Sequence, residues 1–295
     1  MRMNRLIISA LLALFIMAPA SDAQTTTFPV GDGPEGVATD GANVFVANQF
    51  SNTVTKLSAS NGAVVGTYTV GHRPVALAFD GASIWVANYL SNNVMKLDTS
   101  GAVVGTYAVG DGPGGLLATN GNIWVANRNS DTVTKLRASD GLTLGTYEVG
   151  TRPISMATDG EHIYVTNNNS DTVTKLNESN GVVAGTFPVG DGPFGIAFDG
   201  GSLWVANFGS NDVMKLSPAG MVTGTYKTGD GPLSTVFSQG VVYVVNNGGD
   251  SVTKLNASDG ANLGSLTVGR SPIGLVVSGS TVWVTNSGHN TVTRR

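Results

Sequence analysis

A segment of about forty residues recurs seven times along this chain. Each copy holds one Gly-x-x-Pro, with prolines at Pro34, Pro74, Pro113, Pro153, Pro193, Pro232 and Pro272, always 39 or 40 residues apart. Fourteen residues past each proline stands an asparagine: Asn48, Asn88, Asn127, Asn167, Asn207, Asn246 and Asn286. Short strands repeating with this period cannot each form a core alone. They bury apolar surface only by stacking on their neighbours. The repeat therefore overrides the two-domain prior that 295 residues would otherwise suggest.

Within one copy, turn signals divide four short strands. Asp199-Gly200 separates the first pair and Ala219-Gly220 the last pair. Such dipeptides supply the positive φ that tight hairpins need. The second strand, as at Leu203-Trp204-Val205-Ala206, is apolar on both faces. All four Trp of the chain fall in that slot, which suits a sheet covered on both sides. The third strand alternates, and its basic residue (Lys56, Lys96, Lys135, Lys175, Lys215, Lys254, Arg294) reads as a charged outer belt guarding sheet edges. The last copy lacks a fourth strand. Thr27 to Pro34 repeats Thr186 to Pro193 residue for residue, so the missing strand is expected from the N-terminal side. That closes a ring: an all-β, seven-bladed β-propeller of four-stranded antiparallel blades over residues 24–295.

Residues 1–23 read as a secretory signal peptide. Arg2 and Arg5 precede a thirteen-residue apolar run, Leu6 to Ala18, and small residues end at Ala23. A secreted or periplasmic protein, a monomer with no membrane span after processing, is the expectation. With no Cys there are no disulfides, no Cys-ligated zinc and no thiol catalysis. A net charge of −4 argues against a nucleic-acid partner.

Tyr164-Val165-Thr166-Asn167 spells the motif of the YVTN-type β-propeller repeats. Trp-Val-Ala-Asn (Trp85 to Asn88, Trp124 to Asn127, Trp204 to Asn207) and Trp-Val-Thr-Asn (Trp283 to Asn286) resemble it. That resemblance covers nearly the whole processed chain and implies a propeller found in exported and surface-associated proteins with scaffolding or binding roles. Gly33-Pro34-Glu35-Gly36 and Gly192-Pro193-Phe194-Gly195 also resemble the blade opening of streptogramin (virginiamycin B) lyase-like propellers. Lyase-like repeats carry Glu where this chain has its seven Asn. An amide cannot act as the base, so the departure counts against lyase chemistry.

The repeated Asn are expected to fix their turns rather than to bind a ligand. Variation concentrates after the Asn (Gln49, Tyr89, Arg128, Asn168, Phe208, Asn247, Ser287) and after the Pro (Glu35, Val75, Gly114, Ile154, Phe194, Leu233, Ile273). Both positions belong to one face, where loops carry function. Phe50, Tyr89, Arg128, Phe194 and Phe208 are the candidate binding rim, although Phe194 could instead pack between blades. The inter-blade loops alternate in charge (Asp32, Arg73, Asp111, Arg152, Asp191), which reads as neighbour pairing. Glu35, His72 and His289, on three adjacent blades, form the one cluster with catalytic composition. Under an enzymatic alternative they would hold a divalent metal in a lyase- or lactonase-like site. The favoured expectation is a non-catalytic binding or scaffold propeller, without cofactor, that engages a protein or cell-envelope component.

Overall fold

The computed structural model describes residues 25–295, and every regular element among them is a β-strand. The expected signal peptide lies outside those residues. Seven four-stranded antiparallel sheets stand around a central channel. Blade one runs Pro34–Thr39, Asn43–Asn48, Thr53–Ser58 and Val64–Thr69, from channel to rim. Blade seven takes Pro272–Ser278, Thr281–Asn286 and Thr291–Arg294 from the C-terminal end and Thr26–Pro29 from the N-terminal side. Phe28 faces Val292 and Thr27 faces Thr293 across that last pair, so the ring closes as expected.

The burial of the strands follows their radial position. Second strands such as Ser83–Asn88 are buried at every residue, while outer strands such as Val64–Thr69 alternate exposed and half-buried positions. Seven apolar clusters fill the body, and each is shared by two neighbouring blades. Phe45 and Val54 of blade one pack with Ile84 and Leu97 of blade two. Trp283 and Val292 of blade seven pack with Val44 and Leu57 of blade one. The hydrophobic stabilisation of a propeller therefore lies between blades.

The seven Asn are fully buried. In five blades the amide nitrogen donates to two hydroxyls on the third strand, as Asn127 Nδ2 does to Thr132 and Thr134 Oγ1 at 3.0 and 2.9 Å. Asn88 and Asn207 donate instead to Asn93 and Asp212. The role is structural, as expected, but it works through side-chain hydroxyls rather than mainly through local backbone. The glycine of each Val-Gly or Thr-Gly opening leaves room for the amide: a Cβ at Gly31 would lie 2.8 Å from Asn48 Cγ.

The lysines are not an outer belt. In blades one to five, Lys56, Lys96, Lys135, Lys175 and Lys215 each lie over the aromatic of their own blade and reach a carbonyl of the next blade. Lys96 Nζ sits 5.3 Å from the Trp85 ring centroid and donates to Ala138 O at 2.6 Å, and Lys215 over Trp204 does the same to Ala257 O at 2.7 Å. The four-carbon stem crosses the inter-blade seam, so a residue on an alternating strand ends as a latch. Blades three, six and seven also depart from the Asp-Gly hairpin. Where Asp80 and Asp199 accept from the indoles of Trp85 and Trp204, blades three and seven have Thr119 and Ser278. There, Trp124 and Trp283 Nε1 have no partner.

Candidate functional site

The residue after each proline enters the channel. In every blade the pairing of first and second strands shifts register just past that proline, as between Pro34 and Val37. A bulge of this kind takes a residue out of the ladder and re-aims its side chain. The result is a ring at the channel mouth of Glu35, Val75, Gly114, Ile154, Phe194, Leu233 and Ile273, bounding a cavity of about 190 Å³. One level deeper the blades nearly touch. A Cβ on Gly36 would lie 2.7 Å from Val75 O, so the Gly-Pro-x-Gly opening serves blade-to-blade packing.

Five members of the ring are apolar. The gap left by Gly114 is filled by Arg128 from the loop of the same blade; a Cβ on Gly114 would collide with that side chain. Arg128 Nη2 donates to Gly114 O at 3.0 Å and stands 3.9 Å from Glu35 Oε1, an ion pair too long to be a hydrogen bond. Its Nε is buried and has no partner. Burial pushes the Glu35 carboxyl above its ordinary value, with Arg128 and Arg73 pulling the other way. Burial likewise lowers the Arg128 guanidinium, with Glu35 opposing.

Tyr89 links this pair to the rim. The Arg73 and Arg128 guanidinium carbons lie 4.9 and 5.9 Å from its ring centroid, within cation–π range. Its hydroxyl donates to Asn129 Oδ1 at 3.1 Å. Arg73 Nε donates to Gln49 Oε1 at 3.2 Å. Beyond Arg73 opens a groove of about 450 Å³ bounded by Gln49, Phe50, Asn52, His72 and Leu90. Phe50 is 68% exposed and Leu90 64%. Across the mouth the Phe194 and Phe208 rings approach to 6.3 Å. The five rim candidates thus lie on one face, Phe194 in the channel wall and half-buried, Phe50 and Phe208 exposed.

Glu35, His72 and His289 are not brought together. Glu35 faces the channel, whereas both histidines sit on exposed loops. Among the described residues no three His, Cys, Asp or Glu side chains are placed to hold a metal ion. His289 has another task. In blades one to five a serine three residues past the repeated Asn accepts the amide two residues before the proline, as Ser51 does from Asp32 at 2.7 Å. His289 Nδ1 fills that slot for Arg270 at 3.2 Å.

The alternating loop charges do not pair with one another either. Asp32 and Asp111 accept from Asn290 and Asn92, each at 2.9 Å. A strut recurs at all seven seams: the side-chain oxygen of Asn52, Asn92, Asp131, Asp171, Asn211, Asp250 or Asn290 accepts the amide that precedes the next blade's proline. Sequence reading singled out Arg128 as a variable loop residue but missed its place in the channel wall. The available signal was Gly114 in a slot that is otherwise occupied by larger residues.

No protein-family model matches the sequence, and no curated protein matches it. Similar solved structures are virginiamycin B lyase from Staphylococcus aureus (17% identity, TM-score 0.81, covering 92% of this chain and 98% of that one) and a streptogramin B lyase (18%, 0.81, 92% and 96%). Hydrazine synthase of Kuenenia stuttgartiensis is similar too (18%, 0.82, 89% and 95%). At these identities the likeness is one of fold alone, the seven-bladed propeller.

Proposed function

We propose that this chain is an exported, non-catalytic binding propeller that engages a protein or cell-envelope component at the mouth of its channel. The observation that carries the reading is the continuous surface from the Phe50–Leu90 groove through Arg73, Tyr89 and Arg128 into the channel. It joins exposed aromatics, unspent cationic donors and an apolar wall on the face where the repeats differ most. Export rests on the basic start and apolar run of the first 23 residues. An acid–base role would fall to Glu35 alone, since the two histidines face elsewhere. The neighbours' activities do not transfer on fold.

The test is recovery of partners from envelope extract by the wild-type protein and by a Phe50→Ala/Phe208→Ala variant of unchanged melting temperature. A specific partner retained by the first and lost by the second is the expected result. Equal recovery would remove the rim from the function.

A further inference from the structure

We propose that the mouth takes an amphipathic carboxylate, its anionic head among Arg73, Arg128 and Arg152 and its short apolar tail in the channel. This rests on the reading of the mouth as the binding site and adds the chemistry of what is bound.

The charge balance comes first. The whole chain carries a net −4, yet Arg73 and Arg128 share the Tyr89 ring beside Glu35, and Arg152 stands in the inter-blade loop that follows. Arg128 feels the charges of Glu35, Arg73 and Arg152 together, which places the three guanidinia in one neighbourhood of an acidic protein. Asp32, Asp111 and Asp131 lie on the surrounding loops and keep their charge, each accepting a hydrogen bond there, from Asn290, Asn92 and the Arg152 amide.

Backbone conformation is the second observation. The residue before each proline is left-handed, and in four blades it is glycine: Gly33, Gly112, Gly192 and Gly231. Arg73 and Arg152 occupy that slot with φ of 55° and 57°, and Ser271 does so with 50°. An L-residue with a long side chain adopts this conformation at a cost, and such strain clusters at ligand sites. The scaffold does not require arginine there, because glycine serves elsewhere in the same ring.

Unspent donors are the third. Among the described residues Arg128 makes a single hydrogen bond, to Gly114 O, although a guanidinium carries five donors. Its buried Nε is unpartnered. A planar carboxylate matches such a fork, and one negative charge suits a patch already holding Glu35. The channel supplies the rest of the specificity. Val75, Ile154, Phe194, Leu233 and Ile273 offer nothing polar from their side chains, while Ser155, Ser234 and Thr235 add hydroxyls to the same lining. At about 190 Å³ the cavity falls below the roughly 300–1,000 Å³ of sites for drug-sized ligands, so it accepts a short tail rather than a whole ligand.

Calorimetric titration of the full processed chain with octanoate, octanol and octylammonium tests this. Octanoate is expected to bind about tenfold more tightly than octanol, with octylammonium weakest. Arg73→Gln and Arg152→Gln, both exposed changes, should each weaken octanoate about threefold or more and leave octanol unchanged. Glu35→Gln should tighten octanoate. Equal affinities for octanoate and octanol would overturn the carboxylate assignment and leave the mouth as an apolar site. No binding of octanoate at millimolar concentration would also overturn it. The wider reading would then stand or fall on the Phe50→Ala/Phe208→Ala recovery.

Discussion

Two arcs of the same channel mouth share a backbone and differ in nearly everything else. Along blades one to four stand Glu35, Phe50, Arg73, Tyr89, Leu90, Arg128 and Arg152, a set of large charged, aromatic and aliphatic side chains. Along blades five to seven the second residue past the repeated Asn is glycine each time: Gly209, Gly248 and Gly288. A Cβ there would press on Asp191, Asp230 and Arg270. That arc carries no side chain at this position, and its contribution to the channel is Phe194, Leu233 and Ile273. The struts and buried asparagines are indifferent to the division, while the lysine latches run through blades one to five. The repeat therefore accounts for the scaffold, and the departures from it account for the asymmetry of the site.

If that separation holds, scaffold substitutions should cost the same on either arc. Trp85→Ala in blade two and Trp204→Ala in blade five each empty a fully buried slot whose indole bonds an Asp, and each should cost about 3–5 kcal/mol by urea denaturation. A clear difference between them would mean that the arcs differ in their foundations too. Asn127→Ala and Asn246→Ala each remove two buried hydrogen bonds and should lose about 1–3 kcal/mol, again alike. Lys96→Met breaks one latch. The lost charged hydrogen bond and ring contact should amount to about 1–2 kcal/mol, measured by the shift of the denaturation midpoint.

Glu35→Gln sharpens the comparison through pH. Burial raises the Glu35 carboxyl above 4.5, so the folded chain holds that proton more tightly than the unfolded one. Its stabilising contribution is complete below the unfolded value and is lost as pH rises through the folded one. The Gln variant should therefore lack this fall, and its stability relative to wild type should improve between pH 4 and neutrality. A profile parallel to that of wild type would show that the carboxyl is not desolvated by the mouth.

Much of the scaffold was legible in the sequence because its signals are periodic. Seven Pro–Asn spacings set the blade count, the Trp slot marked the strand covered on both faces, and the likeness of Thr27–Pro34 to Thr186–Pro193 pointed to closure. The lysine latch was not legible. Alternation tells which face a residue leaves from, not how far a long side chain then travels across a seam. The Glu35–His72–His289 grouping failed for a related reason. Adjacent blades are adjacent in space, but the residue after the proline turns into the channel, while the position two before it, His72, and the position three past the Asn, His289, sit on exposed loops. Arg128 filling the place of Gly114 depends on a pair of residues fourteen apart, visible only as an exception to two separate slots.

The central claim is that the charged arc is where this molecule meets its ligand. Amide chemical-shift mapping of the processed chain during octanoate titration tests it most directly. Shifts confined to Glu35, Arg73, Tyr89, Arg128 and Arg152 at the head, and to Val75, Ile154, Phe194, Leu233 and Ile273 along the tail, are the predicted result. Shifts centred on the Gly-turn face, or spread evenly over the seven blades, would contradict it.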